Sequence, residues 1–256
     1  MLPLTPSRAY SALRDQLGSV RRVYLAGNRV VRRSDFRHHR ENVLLLHGFF
    51  QTRSIWNTME DRLRFDGYGV VSFDLGGYLA RFNTRPLDDL AALVADKVEA
   101  LSQRHGVEHL HIIGHSMGGL LARRYVQHFG GERRVGSLIT LGTPHHGTPT
   151  AALAAWVGRT SARDLLPNSR VVRRLNSEQW PAHIPMTSIY SRRDVVCPYW
   201  SSQLRNPEGA DAALRNVEVR GVGHSELAWD AAVYRAILEH LRAYPLPELT
   251  DGGSDG

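Results

Sequence analysis

Cysteine and lysine are almost missing from this chain. Of 256 residues only Cys197 is a cysteine, so no intrachain disulfide can form and the fold must stand on packing alone. Lys97 is the sole lysine, and the remaining basic residues are arginines spread along the chain with acids between them. The balance of 32 basic against 25 acidic residues leaves a formal charge of +7, which in clustered form would point to nucleic acid or an anionic membrane. The dispersion reads instead as compositional bias. Arg32/Arg33/Arg37 and Arg170/Arg173/Arg174 read as solvated faces, and no nucleic-acid partner is expected. Also missing is any apolar run long enough to span a bilayer. The opening "MLPLTPSRAYSALRDQLGSV" holds no basic cluster followed by an apolar block, so no secretory leader is read there. The expectation is a cytoplasmic protein, with the reservation that removal of a leader leaves a chain of the same appearance. What is present is 42% hydrophobic residues, enough to fill the core of one large domain.

Element types alternate along the chain. "NVLLLH" (42–47) and "GVVSFD" (69–74) are short apolar, leucine- and β-branched-rich runs that end at glycine, which reads as buried strands. Residues 86–105 place Leu87, Leu90, Leu93/Val94, Val98 and Leu101 at a helical period. Thr84, Pro86 and Asp88/Asp89 mark the start of that helix, and Gly106 its stop. "HLHIIGH", "VGSLITLG", "IPMTSIYS" and "NVEVRGV" follow as strands, with "MGGLLARRYVQHF" and "ELAWDAAVYRAILEHLRAY" as helices. Such alternation implies right-handed crossovers and a mostly parallel sheet covered on both faces. Functional residues then belong at the carboxyl ends of the strands.

Two segments break the rhythm. Residues 5–26 read as an extra helix within an N-terminal lead-in of residues 1–41. Residues 147–183 separate two strands by far more than an ordinary connection, and contain two amphipathic patterns, "TAALAAWVG" and "SRVVRRLNS". The expected organisation is therefore a core of residues 42–146 and 184–244, a cap or lid at 147–183, and a polar tail at 245–256.

"GHSMGG" (114–119) is where the chemistry starts. A serine between two glycines, entered from a strand and left into a helix, is forced outward over the sheet. An unassisted serine hydroxyl is a poor nucleophile near neutral pH, so Ser116 needs a base and a carboxylate to orient that base. Asp194 stands just past the strand "IPMTSIYS", and His224 just past the last strand. His224 would take the Ser116 proton and return it to the leaving group, while Asp194 holds its tautomer. Among the 13 histidines, His128 and His240 fall within helices and His183 precedes a strand, which removes them from this role. The oxyanion needs donors too: the Met117 amide beside the nucleophile, and the Phe49 amide in "HGFF".

Taken together, "LLLHGFF" (44–50), "GHSMGG" (114–119), "LITLGTPHHGT" (138–148), "SRRDVVCP" (191–198) and "GVGHSEL" (221–227) resemble the α/β-hydrolase superfamily, and within it bacterial triacylglycerol lipases and esterases. The resemblance runs over roughly residues 42–242. It implies an α/β-hydrolase fold with a helical cap or lid, and a carboxylic ester hydrolase acting through an acyl-enzyme on a small-molecule or lipid ester. Some lipases carry zinc or calcium near this region, but His145 and His146 in "GTPHHGT" resemble a structural turn, and without a pair of spaced acids they are not read as metal ligands, so no metal and no cofactor is expected. The N-terminal helix and basic segment depart from larger members, which carry antiparallel strands there.

The acyl group is less directly legible. Phe49 and Phe50 would wall it, with Phe50 and Trp156 as substrate contacts, and Leu153, Val157, Leu165, Leu166 and Val171/Val172 supply apolar surface above the strand ends. That favours a hydrophobic acyl ester and transient contact with a lipid surface. An acyltransferase, thioesterase or amidase uses the same triad, and a non-catalytic binding protein could keep the fold.

Overall fold

The computed structural model describes residues 36, 39, 41–75, 77–78, 82–83, 85–152, 160–205 and 213–247. The apolar runs become six parallel strands: β1 Asn42–Leu46, β2 Gly69–Ser72, β3 Leu110–His115, β4 Val135–Leu141, β5 Met186–Tyr190 and β6 Leu214–Glu218. Their order across the sheet is β2-β1-β3-β4-β5-β6. A separate two-residue ribbon pairs Gly77–Tyr78 with Phe82–Asn83 in antiparallel register.

Side chains alternate across the sheet and feed two cores. Leu44, Leu46, Ile112 and Leu138 face one layer, where α2 (Leu87–His105) contributes Leu90 and Val94 and α3 (Met117–His128) contributes Leu120 and Leu121. Val43, Leu45, Ile113 and Ile139 face the other, against Trp56, just before α1 (Asn57–Phe65), Met59 and Leu63 within it, and Val233, Ile237 and Leu241 of α5 (Ala231–Ala243). Both faces are therefore apolar, as buried parallel strands require. This is an α/β-hydrolase fold with helices on both faces.

Three elements differ from the sequence reading. A helix at α1 (Asn57–Phe65), led in by a 3-10 turn at Arg53–Trp56, was not anticipated. Charged residues interrupt its apolar spacing, yet two parallel neighbours need a crossover and this segment supplies it. The last strand lies two residues earlier at its start than "NVEVRGV" suggests. The closing helix is split, because the Asp230 carboxylate accepts the Ala232 and Val233 amides at 2.7 and 3.2 Å and starts a fresh helix there. Elsewhere Gly106, at φ 65°, ends α2 as read.

Within the 147–183 insertion, α4 (Arg170–Ser177) forms where "SRVVRRLNS" predicts a helix, with the Ser169 hydroxyl accepting the Val172 amide at 3.1 Å. Val172 and Leu175 are buried. The Leu87 amide donates to Asp164 Oδ2 at 3.0 Å, tying the insertion to the start of α2. The N-terminal helix at 5–26, Thr84, most of "TAALAAWVG" including Leu153, Trp156 and Val157, and residues 248–256 of the tail lie outside the described residues. No helix among the described residues is long and apolar enough to cross a membrane.

Topology selects one place for a site. β1 and β3 are adjacent, but the chain leaves β1 towards β2 and leaves β3 towards β4. Ligands of open α/β sheets bind at such a reversal, outside the carboxyl ends of the strands.

Candidate active site

Gly48 and Phe49 follow β1, and Ser116 follows β3, so the reversal brings "HGFF" beside the serine. A Cβ built on Gly48 would lie 2.8 Å from the Ser116 Cβ. Ser116 is the N-cap of α3 at φ 55° and ψ −123°, a conformation a non-glycine residue adopts only when its surroundings impose it. Those surroundings are glycine-dependent: a Cβ on Gly118 would meet the Leu46 carbonyl oxygen at 2.1 Å, and one on Gly114 would meet Gly119 backbone at 2.6 Å. The elbow closes because strand and helix touch backbone to backbone.

Asp194 and His224 meet from the ends of β5 and β6. His224 Nδ1 and Asp194 Oδ2 are 2.7 Å apart, with the carboxylate fully enclosed. The other oxygen, Oδ1, accepts the Val196 and Cys197 amides at 2.9 and 2.8 Å. With both oxygens occupied, the carboxylate cannot turn away from the imidazole. No hydrogen bond among the described residues joins Ser116 Oγ to His224. The serine oxygen lies 4.0 Å from Cys197 Sγ, a thiol whose pKa is pushed well up by burial and by Asp194. Catalytic hydrogen bonds are often long in unliganded sites and tighten with substrate.

Gly142, after β4, backs this pair. It has φ 54°, and a Cβ there would come within 2.8 Å of Asp194 Oδ2 and 3.2 Å of His224 Nδ1. Gly142→Ala should therefore strain the backbone and displace the pair. If these residues act in catalysis, the expected cost is about 10²-fold in kcat, the usual penalty for misplacing a reacting group by about an ångström. Steady-state kinetics beside a thermal melt will separate this from unfolding; a folded variant at full rate contradicts it.

Around Ser116 the Met117 side chain is buried, and its amide opens α3. Neither the Phe49 nor the Met117 amide donates to an acceptor among the described residues, so both are free for a ligand oxygen. Phe49 packs partly buried against the core. Phe50 is exposed at φ 54°, its ring centroid 6.2 Å from that of Phe49. Trp156, the other expected substrate contact, lies outside the described residues.

Two supporting residues escaped the sequence reading. Gln51 Oε1 accepts the Gly48 amide at 2.8 Å and stands 3.1 Å from His115 Nδ1. His115 Nε2 is 2.9 Å from the His224 carbonyl. Burial, then the neighbouring His224, lowers the His115 pKa to about 3. A neutral imidazole has one N–H, so His115 can donate to His224 or to Gln51, one at a time. His115 sits inside "GHSMGG" and Gln51 directly follows "LLLHGFF", but nothing local marks either. His145 and His146 sit in the turn after β4, where Thr140 Oγ1 lies 3.0 Å from His145 Nε2 and the His146 amide donates to the Ser201 carbonyl. Among the described residues no three His, Cys, Asp or Glu side chains cluster as a metal set would.

Several histidines are held neutral by burial. His47 is lowered to about 4, His115 and His240 to about 3, and His145 well below its ordinary value. The unfolded chain binds protons at these positions below about pH 6.5 and the folded chain does not. Stability should therefore fall as pH drops from 6.5 towards 4, each histidine contributing up to about 1.4 kcal/mol per pH unit. Urea midpoints measured at pH 7.5, 6 and 5 check this; a constant midpoint contradicts it.

Comparison with known proteins places the chain. A family model described as alpha/beta hydrolase fold matches residues 41–177. Methylesterase 10 of Arabidopsis thaliana is 28% identical over 119 residues, covering 45% of this chain and 42% of that protein. A dihydrolipoyllysine-residue acetyltransferase component of the acetoin cleaving system from Cupriavidus necator is 37% identical over 82 residues, 32% of this chain and 21% of that one. The matches thus span less than half of these curated relatives. Among solved structures, a mature Bacillus licheniformis lipase superposes with a TM-score of 0.65 at 16% identity, covering 79% of this chain and 92% of that one. At that identity the likeness concerns the fold.

Proposed function

The chain belongs to the α/β-hydrolase family, and from that premise we propose that it is a serine hydrolase of carboxylic esters. Ser116 attacks the ester carbonyl, and His224 accepts its proton and passes it to the leaving alcohol. The Phe49 and Met117 amides stabilise the oxyanion. Water, activated by the same histidine, then releases the acid from the acyl-enzyme. Asp194 orients His224 and offsets the charge of its imidazolium.

The observation that carries this reading is the 2.7 Å contact between Asp194 and His224 at the strand ends, beside a serine in a strained elbow. A binding protein that had abandoned chemistry has no use for that strain. The lipase among the structural neighbours and the methylesterase among the relatives are consistent with ester substrates. The half-buried Phe49 and exposed Phe50 favour a hydrophobic acyl group. Because Val172 and Leu175 are buried and Asp164 holds the Leu87 amide, we assign residues 160–183 to a fixed cap.

A p-nitrophenyl ester series from acetate to palmitate, run on wild type and Ser116→Ala, tests the reading. Serine-dependent turnover rising with chain length supports it. A preference for acetate or butyrate would make the enzyme a short-chain esterase, and products formed on added alcohols would make it an acyltransferase.

A further inference from the structure

Arg123, on α3, is a buried cation with no anion beside it among the described residues. It is 6% exposed, and burial lowers its pKa to about 10 with no neighbouring charge opposing that effect. Its Nη1 donates to Asn176 Oδ1 at 3.0 Å and to His145 Nδ1 at 3.3 Å, and its Nη2 to the Leu175 carbonyl at 2.5 Å. Its Nε–H has no acceptor among the described residues. Every acceptor is neutral. Buried charges are ordinarily paired, because a dry, uncompensated guanidinium is costly.

That arginine forms part of the wall of a cavity of about 300 Å³ between α4 and the starts of β5 and β6. Arg205 and His146 share the wall, and burial together with the Arg205 charge keeps the His146 imidazole neutral. The acid on the wall, Glu178, is already engaged: Oε1 accepts Arg174 Nε, and Oε2 meets His128 Nε2, each at 3.0 Å. Facing these groups are Trp180, Met186 and Leu214, with Trp180 anchored by its Nε1–H to the Ile184 carbonyl at 2.6 Å. Among the described residues the cavity therefore has unneutralised positive charge and an apolar lining together.

We infer that this cavity binds a small monocarboxylate with a hydrocarbon tail, its carboxylate between Arg123 and Arg205 and its tail against Trp180 and Met186. At roughly 30 Å³ per heavy atom the volume holds about ten such atoms, the size of octanoate. Ser116, Asp194 and His224 are absent from the cavity wall, so the inference stands apart from the catalytic reading.

The test is calorimetric titration of the full chain carrying Ser116→Ala, which removes turnover, with sodium octanoate and with octanamide. Octanoate should bind one to one and octanamide at least about tenfold more weakly. Leu214→Trp, which fills the cavity without touching its charges, should abolish binding, and Arg205→Ser should weaken it several-fold. Melting curves check that both variants stay folded. Absence of saturable octanoate binding, equal affinity for octanamide, or unchanged affinity in a folded Leu214→Trp variant overturns the inference; the last outcome would put the acid at the Ser116 site.

Discussion

Ser116→Ala should lower kcat/KM for an activated ester by about 10⁴- to 10⁶-fold while leaving the melting temperature within a few degrees of wild type. The rate loss follows from removing the nucleophile of a group that works as a unit, where loss of one member costs nearly as much as loss of all. Stability should be spared because among the described residues the Oγ makes only a 4.0 Å contact with Cys197. The elbow is held by Gly114, Gly118 and the Ser116 amide, which donates to the Leu141 carbonyl at 2.9 Å. An alanine keeps that backbone. Residual turnover above the uncatalysed rate is expected from the two oxyanion amides. A variant that keeps a tenth of wild-type activity would remove Ser116 from the mechanism and return the chain to a different chemistry on the same fold.

Asp194→Asn comes next in size, with an expected loss of about 10⁴-fold in kcat and a small change in KM. The hydrogen bonds give the reason. Oδ1 accepts two backbone amides, so an asparagine keeps its oxygen there and turns its NH₂ towards His224 Nδ1. Nδ1 must then accept, the imidazole proton moves to Nε2, and the histidine can no longer take a proton from serine. Nitrogen NMR of the ring reports this tautomer directly. Retention of wild-type kcat, or an Nδ1–H tautomer in the folded variant, would show that the 2.7 Å contact is structural.

These two experiments rest on residues that local sequence signals point to. Strands and helices announce themselves by period, and a nucleophile, a carboxylate and a base that each follow a strand can be placed at one end of a parallel sheet without coordinates. Glycines flanking a serine encode a backbone approach that no Cβ would permit, and that approach is made at Leu46 and Gly119. The helix at Asn57–Phe65 was the exception. Trp56, Met59 and Leu63 carry its buried face, but the charged residues between them weaken the pattern, and a solvated outer face is needed only once the sheet exists.

The sequence by itself determined the order of elements, the sheet that follows from it, and three candidate residues at its carboxyl edge, because each depends on neighbours a few positions away. Tertiary structure alone decided what surrounds them. His115 meets a carbonyl 109 positions further on, and Gly142 lies against a carboxylate from β5 and an imidazole from β6. Arg123 hydrogen-bonds residues 22, 52 and 53 positions away. Burial then sets protonation: the same imidazole that titrates in water is held neutral inside, and a guanidinium is left without a counter-charge among the described residues. Such properties belong to an enclosed volume, and no local stretch of chain encodes one.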